Sequence, residues 1–221
     1  MTVKALIFDF DGLILDTEGP EWAGWQAIYQ QHGVELELAL WQAGVGTIGG
    51  FDAWQHLETL LGGPLERAAI EEQRRAALLE HCQRQPLLPG VLDLLDAADA
   101  AGLRLALASS SSRSWVVPWL ELHQLLPRFA CVRTRDDVDR PKPAPDLYLS
   151  AATCLGVDPA ECVALEDSPH GLRAALAAGL RCIVVPTAVT ATLPFEGAAL
   201  RLGSLAELPL AELLARLDRS S

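Results

Sequence analysis

The chain predicts an α/β fold, a doubly wound parallel sheet with an α-helical cap inserted into it. Three observations carry that expectation. Short apolar runs recur along most of the chain with helical patterns between them, the order that builds a parallel sheet covered by helices on both faces. Several of those helical patterns stop at a glycine, Gly102, Gly156 and Gly179, where a left-handed C-terminal cap is expected. One long stretch, residues 16–88, breaks the rhythm and reads as helices with a single ambiguous segment.

Taken in order, residues 3–10, 103–108, 162–165 and 181–185 are apolar runs of strand length, and 129–134 is a weaker candidate. Runs this short and this largely apolar suit strands buried on both faces. Residues 90–101, 114–122, 144–155 and 169–178 carry apolar side chains at helical spacing. Inside the inserted stretch, residues 21–32, 52–61 and 65–83 read as helices, the last with Glu and Arg on its exposed side. Residues 34–40 are ambiguous, because they alternate like a strand. Pro86 and Pro89 then return the chain to the α/β pattern. The expected division is a Rossmann-like core of residues 1–15 and 89–221 and a cap of residues 16–88, joined by linkers near 15–16 and 86–89.

Composition narrows the function. A chain of 221 residues has room for one sizeable core and a smaller module. Its formal net charge of -12 opposes a polyanionic backbone, so no nucleic-acid partner is expected. No apolar run approaches the roughly 18 residues of a membrane span. The apolar stretch after Lys4 is too short for an export signal, so a cytoplasmic location and no membrane association are expected. The five cysteines, Cys82, Cys131, Cys154, Cys162 and Cys182, form no C-x-x-C pair, and buried reduced thiols are the expectation.

The chemistry-bearing residues fall at strand ends. Asp9 and Asp11 stand two apart directly after the first strand candidate. In an open α/β sheet, ligands bind at the carboxyl ends of the strands. Two carboxylates left unpaired there are costly, and a hard cation with oxygen ligands resolves the conflict. A turn or capping pair is the plainer alternative. A calcium loop does not fit, because Gly12 comes too early and Pro20 takes the place of the bidentate glutamate. The second strand candidate runs into Ser109, Ser110 and Ser111, whose hydroxyls and main-chain N–H groups suit phosphate oxygens. Lys142 lies between Pro141 and Pro143, which stiffen the chain around one cation. A fourth signal is Glu166-Asp167-Ser168-Pro169, paired acids ending a buried strand before a helix. Each signal alone has a bland reading as loop, cap or solvated charge. Their joint placement at four strand ends is much more specific.

The motifs DFDGLILDTE, ALASSS, RPKPAPD and LEDSPHG, in that order, resemble the haloacid dehalogenase superfamily, most closely its phosphatase and beta-phosphoglucomutase branch. The resemblance spans essentially the whole chain, cap included. It implies a phosphoric monoester hydrolase in which Asp9 attacks phosphorus and Asp11 is the general acid/base. It implies that Ser109 and Lys142, with Ser110, hold the phosphoryl group. It also implies Mg2+ bound by Asp9, the main-chain carbonyl of Asp11 and Asp167, with Glu166 in or beside the shell. Relatives that cleave carbon–halogen bonds lack the second aspartate of the first motif, and Asp11 is present here.

Two positions depart from the mutase pattern. A histidine after the first motif and an arginine of the cap loop are replaced by Glu21 and Gly49, which weighs against sugar-phosphate isomerisation, the alternative activity. Gly44-x-Gly46-x-x-Gly49 matches a dinucleotide fingerprint, but no strand with a terminal acid follows the next helix. The segment is read as a flexible cap loop facing the active site. Glu21, Trp22 and Gly49 are candidate substrate contacts, with packing the plainer reading for Trp22. For His170 the plain reading is capping or solvent exposure. The expected partner is a small phosphorylated metabolite, acted on by a monomer.

Overall fold

The computed structural model describes residues 2–47 and 49–219. A six-stranded sheet organises them: β1 (Ala5–Phe8), β2 (Arg104–Ala108), β3 (Cys131–Arg133), β4 (Cys162–Glu166), β5 (Arg181–Val184) and β6 (Leu200–Arg201). The spatial order is β3-β2-β1-β4-β5-β6, and every neighbouring pair is parallel. Strand order reverses at β1, which lies between β2 and β4. That reversal opens a crevice beyond the carboxyl ends of β1 and β4.

The helices are α1 (Glu18–Gln31), α2 (Leu38–Gln42), α3 (Ala53–Leu61), α4 (Arg67–Arg84), α5 (Val91–Ala100), α6 (Arg113–Leu122), α7 (Asp146–Leu155), α8 (Pro169–Ala177) and α9 (Leu210–Arg219). Side-chain alternation along the strands divides the core into two layers. Leu6, Phe8, Leu105, Leu107, Val163 and Leu165 face one layer with Leu94, Leu95, Leu213 and Leu217 from α5 and α9. Ala5, Ile7, Ala106, Ala108, Ala164 and Cys182 face the other, against Leu147, Tyr148 and Ala151 of α7 and Leu172 and Ala175 of α8. The second face is rich in alanine, so α7 and α8 lie close to the sheet. None of the helices is long and apolar enough to cross a membrane, among the described residues.

Helices α1 to α4 stand between β1 and α5 in the chain. Trp25, Ile28, Tyr29, Leu36, Ala53 and Leu57 form their own apolar cluster. The far end of α4 joins the first sheet layer through Leu78 and Cys82. The two connecting segments are tied together: the Leu88 N–H donates to Ile14 O at 3.0 Å, and the Gln85 side-chain amide donates to Asp16 O at 2.7 Å.

Three sequence expectations need correction. Residues 34–40 form no strand. Leu36 enters the cap cluster, whereas Leu38 and Leu40 are exposed on the short helix α2, so the alternating leucines never share one face. The cysteines are not all free: Cys131 of β3 and Cys154 of α7 are disulfide-bonded, with Cα atoms 6.4 Å apart. The contact of α7 with β3 joins positions 23 residues apart, which no spacing rule anticipates. Cys82, Cys162 and Cys182 are free and buried. Finally, β6 was not anticipated; it has only two residues, and it pairs Leu200 with Ile183 of β5.

Candidate active site

The carboxyl ends of β2, β1 and β4 are adjacent, and each strand delivers a polar residue one step past its apolar run. Phe8 pairs in register with Leu107 and Leu165. Asp9 and Glu166 therefore emerge at one level, and Ser109 and Asp167 follow one residue further along their strands. The turn after Asp11 closes through the Gly12 N–H on Leu15 O at 2.8 Å. Gly12 has φ +75°, and a Cβ there would stand 2.3 Å from Asp167 Oδ2. Only glycine lets the first turn come this close to the acid just after β4.

Asp9, Lys142, Glu166 and Asp167 are all buried. Lys142 Nζ donates to Asp9 Oδ1 and to Glu166 Oε1, each at 2.6 Å. The Tyr148 hydroxyl also donates to Glu166 Oε1, at 2.5 Å. Lys142 is held from both sides of its loop: Arg140 pairs with Asp146 at the start of α7, and Thr47 Oγ1 donates to the Lys142 carbonyl at 2.7 Å.

Electrostatics follow from this burial. Loss of solvent, reinforced by Glu166, pushes the Asp9 carboxyl up to about 8, with Lys142 opposing. Burial, together with Asp9 and Glu166, drives Asp167 well above the carboxylate range. Burial works against the Lys142 charge, yet Asp9 and Glu166 outweigh it and hold the ammonium above the ordinary lysine range.

Three acids facing one lysine leave negative charge uncompensated. Asp167 Oδ2 is buried with no hydrogen-bond partner. One oxygen from each of Asp9, Glu166 and Asp167 lies within 4.8 Å of the others. An all-oxygen set with an unpartnered buried oxygen fits a hard cation, so these residues could hold a metal ion.

Asp11 stands beside this cluster and is only partly buried. Its Oδ1 accepts from Thr17 Oγ1 and from Trp115 Nε1, both at 2.9 Å. Its Oδ2 accepts from Ser111 Oγ at 2.6 Å and, more weakly, from Ser109 Oγ at 3.3 Å. Ser110 Oγ is buried without a partner and lines the cavity.

Above the strand ends lies a cavity of about 500 Å³, with Asp9, Asp11, Lys142 and Asp167 on its floor. Glu18, Glu21, Trp41, Phe51 and Arg74 belong to its cap side. Glu21 is ion-paired with Arg74, which also takes Glu71 at 2.7 Å. Trp22 and Gly49 are not among the lining residues. Trp22 packs on Trp41, ring centroids 6.0 Å apart, and Gly49 is exposed. The 44–47 part of the cap loop does face the site, and Gly46 is needed there because a Cβ would stand 2.2 Å from Ser168 Oγ. His170 is neither a cap nor free in solvent: its Nδ1 lies 2.9 Å from Val45 O of that loop, and burial lowers its pKa.

Sequence reasoning did not anticipate that Thr17, Ser111 and Trp115 bond to Asp11, or that Tyr148 bonds to Glu166. Ser111 lay inside a singled-out motif. Trp115 and Tyr148 carried no signal, because their contacts depend on how α6 and α7 dock.

A family description of haloacid dehalogenase-like hydrolases matches residues 6–185. The chain belongs to that family. Among its relatives, the YhcW protein of Bacillus subtilis is 45% identical over 216 residues, 98% of each chain. Hexitol phosphatase B of Escherichia coli K12 is 34% identical, covering 96% of this chain and 97% of its own. The crystal structure of CbbY from Rhodobacter sphaeroides in complex with phosphate superposes with a TM-score of 0.74 at 32% identity, covering 98% of this chain and 100% of that one. A mutant of the same CbbY was crystallised with xylulose-(1,5)bisphosphate, at TM-score 0.75 and 32% identity over 96% of this chain and 99% of that one.

Proposed function

We propose that this haloacid dehalogenase-like hydrolase is a magnesium-dependent phosphoric monoester hydrolase that releases phosphate from a small phosphorylated metabolite, a sugar phosphate, through an aspartyl-phosphate on Asp9. The observation that carries this reading is Lys142 Nζ between Asp9 Oδ1 and Glu166 Oε1, beside the unpartnered Asp167 Oδ2. The arrangement suits a nucleophile, a phosphoryl-binding cation and a metal site on one cavity floor. Hexitol phosphatase B and the phosphate-bound CbbY are similar over nearly their full length, which supports the same substrate class.

In the first half-reaction a carboxylate oxygen of Asp9 bonds to phosphorus as the bond to the leaving oxygen breaks. Asp11 gives that oxygen a proton. In the second half Asp11 takes a proton from water as the water oxygen bonds to phosphorus and the Asp9–phosphorus bond breaks. Lys142 and the hydroxyls and N–H groups of Ser109 and Ser110 hold the phosphoryl oxygens. Asp9, the Asp11 main-chain carbonyl and Asp167 would bind the magnesium ion, with Glu166 in or beside its shell. Bound there, the ion neutralises charge on the nucleophile and on the phosphoryl oxygens.

The floor recognises only phosphate and metal, so choice among esters falls to the cap, residues 16–88, moving on a core of residues 1–15 and 89–221. The tied linkers at Gln85–Asp16 and Leu88–Ile14 suit rigid-body closure. With Glu21 and Gly49 in place of the histidine and arginine of the mutase pattern, hydrolysis is favoured over isomerisation.

The test is phosphate release from a panel of small phosphorylated metabolites, with and without magnesium, by the natural chain and by Asp9→Asn. Turnover confined to the natural chain and to magnesium is expected. An Asp9→Asn protein retaining more than a few per cent of the rate, roughly the loss expected for a covalent nucleophile, would remove Asp9 as nucleophile.

A further inference from the structure

The indole N–H of Trp115 is aimed at Asp11 Oδ1 from the first turn of α6, at 2.9 Å. The ring is set by its surroundings and not by Asp11 alone. It lies edge-on to Trp119, centroids 5.5 Å apart, and Trp119 is buried. The start of α6 is anchored as well: the Arg113 N–H donates to Asp136 Oδ2 at 2.8 Å, and the Arg113 guanidinium pairs with Asp137 at 2.9 Å. A half-buried tryptophan takes whatever acceptor is near. Here the acceptor is a cavity carboxylate on the loop after β1, and Trp115 itself lines the cavity.

We propose that Trp115 is a positioning residue for Asp11: with Thr17 it pins Oδ1, leaving Oδ2 as the oxygen that exchanges the proton. This rests on the reading of Asp11 as general acid/base given above. An indole N–H donates and cannot accept, so the oxygen bonded to it carries no proton. Ser111 differs, because a hydroxyl can serve a carboxylate or a carboxylic acid. In the acid state Ser111 keeps its bond by donating to the remaining lone pair of Oδ2, which leaves the Oδ2 proton for the leaving oxygen. The proton on Oδ2 passes to the leaving oxygen as the phosphorus–oxygen bond breaks and Asp9 bonds to phosphorus. In the return step Oδ2 takes a proton from the attacking water. Without the Trp115 donor Oδ1 is held only by the Thr17 hydroxyl, which can accept as well as donate, so a proton on Oδ1 is no longer excluded and the acid is spread over two oxygens.

The experiment compares kcat/KM for an alkyl phosphate with kcat/KM for p-nitrophenyl phosphate, which needs no proton on its leaving group. It uses the natural chain, Trp115→Phe, Asp11→Asn and the double variant. General acid catalysis is worth about 100-fold to 10,000-fold, so Trp115→Phe is expected to lower the alkyl phosphate value by about tenfold or more. The p-nitrophenyl phosphate value should fall by less than about threefold. In the Asp11→Asn background, Trp115→Phe should cost the alkyl phosphate reaction almost nothing more, the coupling expected of residues acting as one unit. Equal losses on both substrates, or full additivity in the double variant, would reduce Trp115 to a packing residue and overturn the proposal. If Asp11→Asn itself does not separate the two substrates, the reading of Asp11 has failed and the role of Trp115 falls with it. A Trp115→Phe melting point close to that of the natural chain guards against misfolding. Should it fall steeply, Trp115→His, which keeps a ring N–H donor, must recover part of the alkyl phosphate rate.

Discussion

Lys142 Nζ lies 2.6 Å from Asp9 Oδ1, in an ion pair from which solvent is almost wholly excluded, the side chains being 2% and 8% exposed. The same ammonium serves Glu166 at 2.6 Å. Lys142→Met would leave both acids buried with no cation. Breaking a buried pair from one side typically costs about 3–5 kcal/mol, so the melting temperature in chelator should fall well below that of the natural chain. Magnesium should recover part of the loss, while turnover stays at least about 1,000-fold down for want of the phosphoryl-binding charge. Thermal melts with and without magnesium, beside phosphate release, check this. Equal melting temperatures in chelator would show that the pair contributes nothing to the fold.

A metal ion held by Asp9, Glu166 and Asp167 would make turnover depend on its concentration. Activity should vanish in excess chelator and return with magnesium. Calcium should inhibit, because it takes more ligands at longer distances. Asp167→Asn replaces the unpartnered acid oxygen with a neutral group. It should raise the magnesium concentration for half-maximal activity by about tenfold or more, since even outer partners of metal ligands are worth roughly that much. Undiminished activity in chelator would take the metal out of the reaction.

Glu18 sets a pH dependence of stability. Burial, then repulsion from Asp11 and Glu21, pushes its carboxyl from 4.5 up to about 8. Between those values the folded chain keeps a proton that the unfolded chain has released. Stability therefore falls as pH rises through that window. Glu18→Gln removes this proton and should flatten the dependence, narrowing or reversing any deficit at pH 8 relative to pH 5. Melting temperatures across that range decide it, and parallel curves for the two proteins would rule the assignment out.

In the cap, Glu21 lines the cavity and restrains Arg74, while Trp22 reaches the cavity only through Trp41. Glu21→Gln should reorder the preferred substrates more than it changes hydrolysis of the phosphoenzyme. Trp22→Ala should lower the melting temperature, with a smaller effect on preference. Both quantities, measured on both variants over one substrate panel, test the division; an unchanged order for Glu21→Gln would confine the cap ion pair to a structural role.

Much of this was legible in the chain before folding. The parallel sheet could be read because a strand buried on both faces needs an unbroken apolar run, and residues 5–8, 105–108 and 162–165 supply one each. Asp9, Glu166 and Asp167 were legible because polar residues that end such runs are forced to one edge of the sheet, and Lys142 stood out by the prolines on either side of it. What tertiary structure alone decided are the contacts made across elements. The carboxylate of Asp11 is held by Trp115, 104 positions away, and Glu166 by Tyr148 from α7. Cys131 meets Cys154 only because α7 lies against β3, and the alternation at 34–40 became an irregular segment and the start of a helix because Leu36 and Val34 found a core to pack on while Leu38 and Leu40 did not. Local patterns record which face of an element is buried. They carry no information on the rotation and depth at which one element docks on another, and those set which side chains meet.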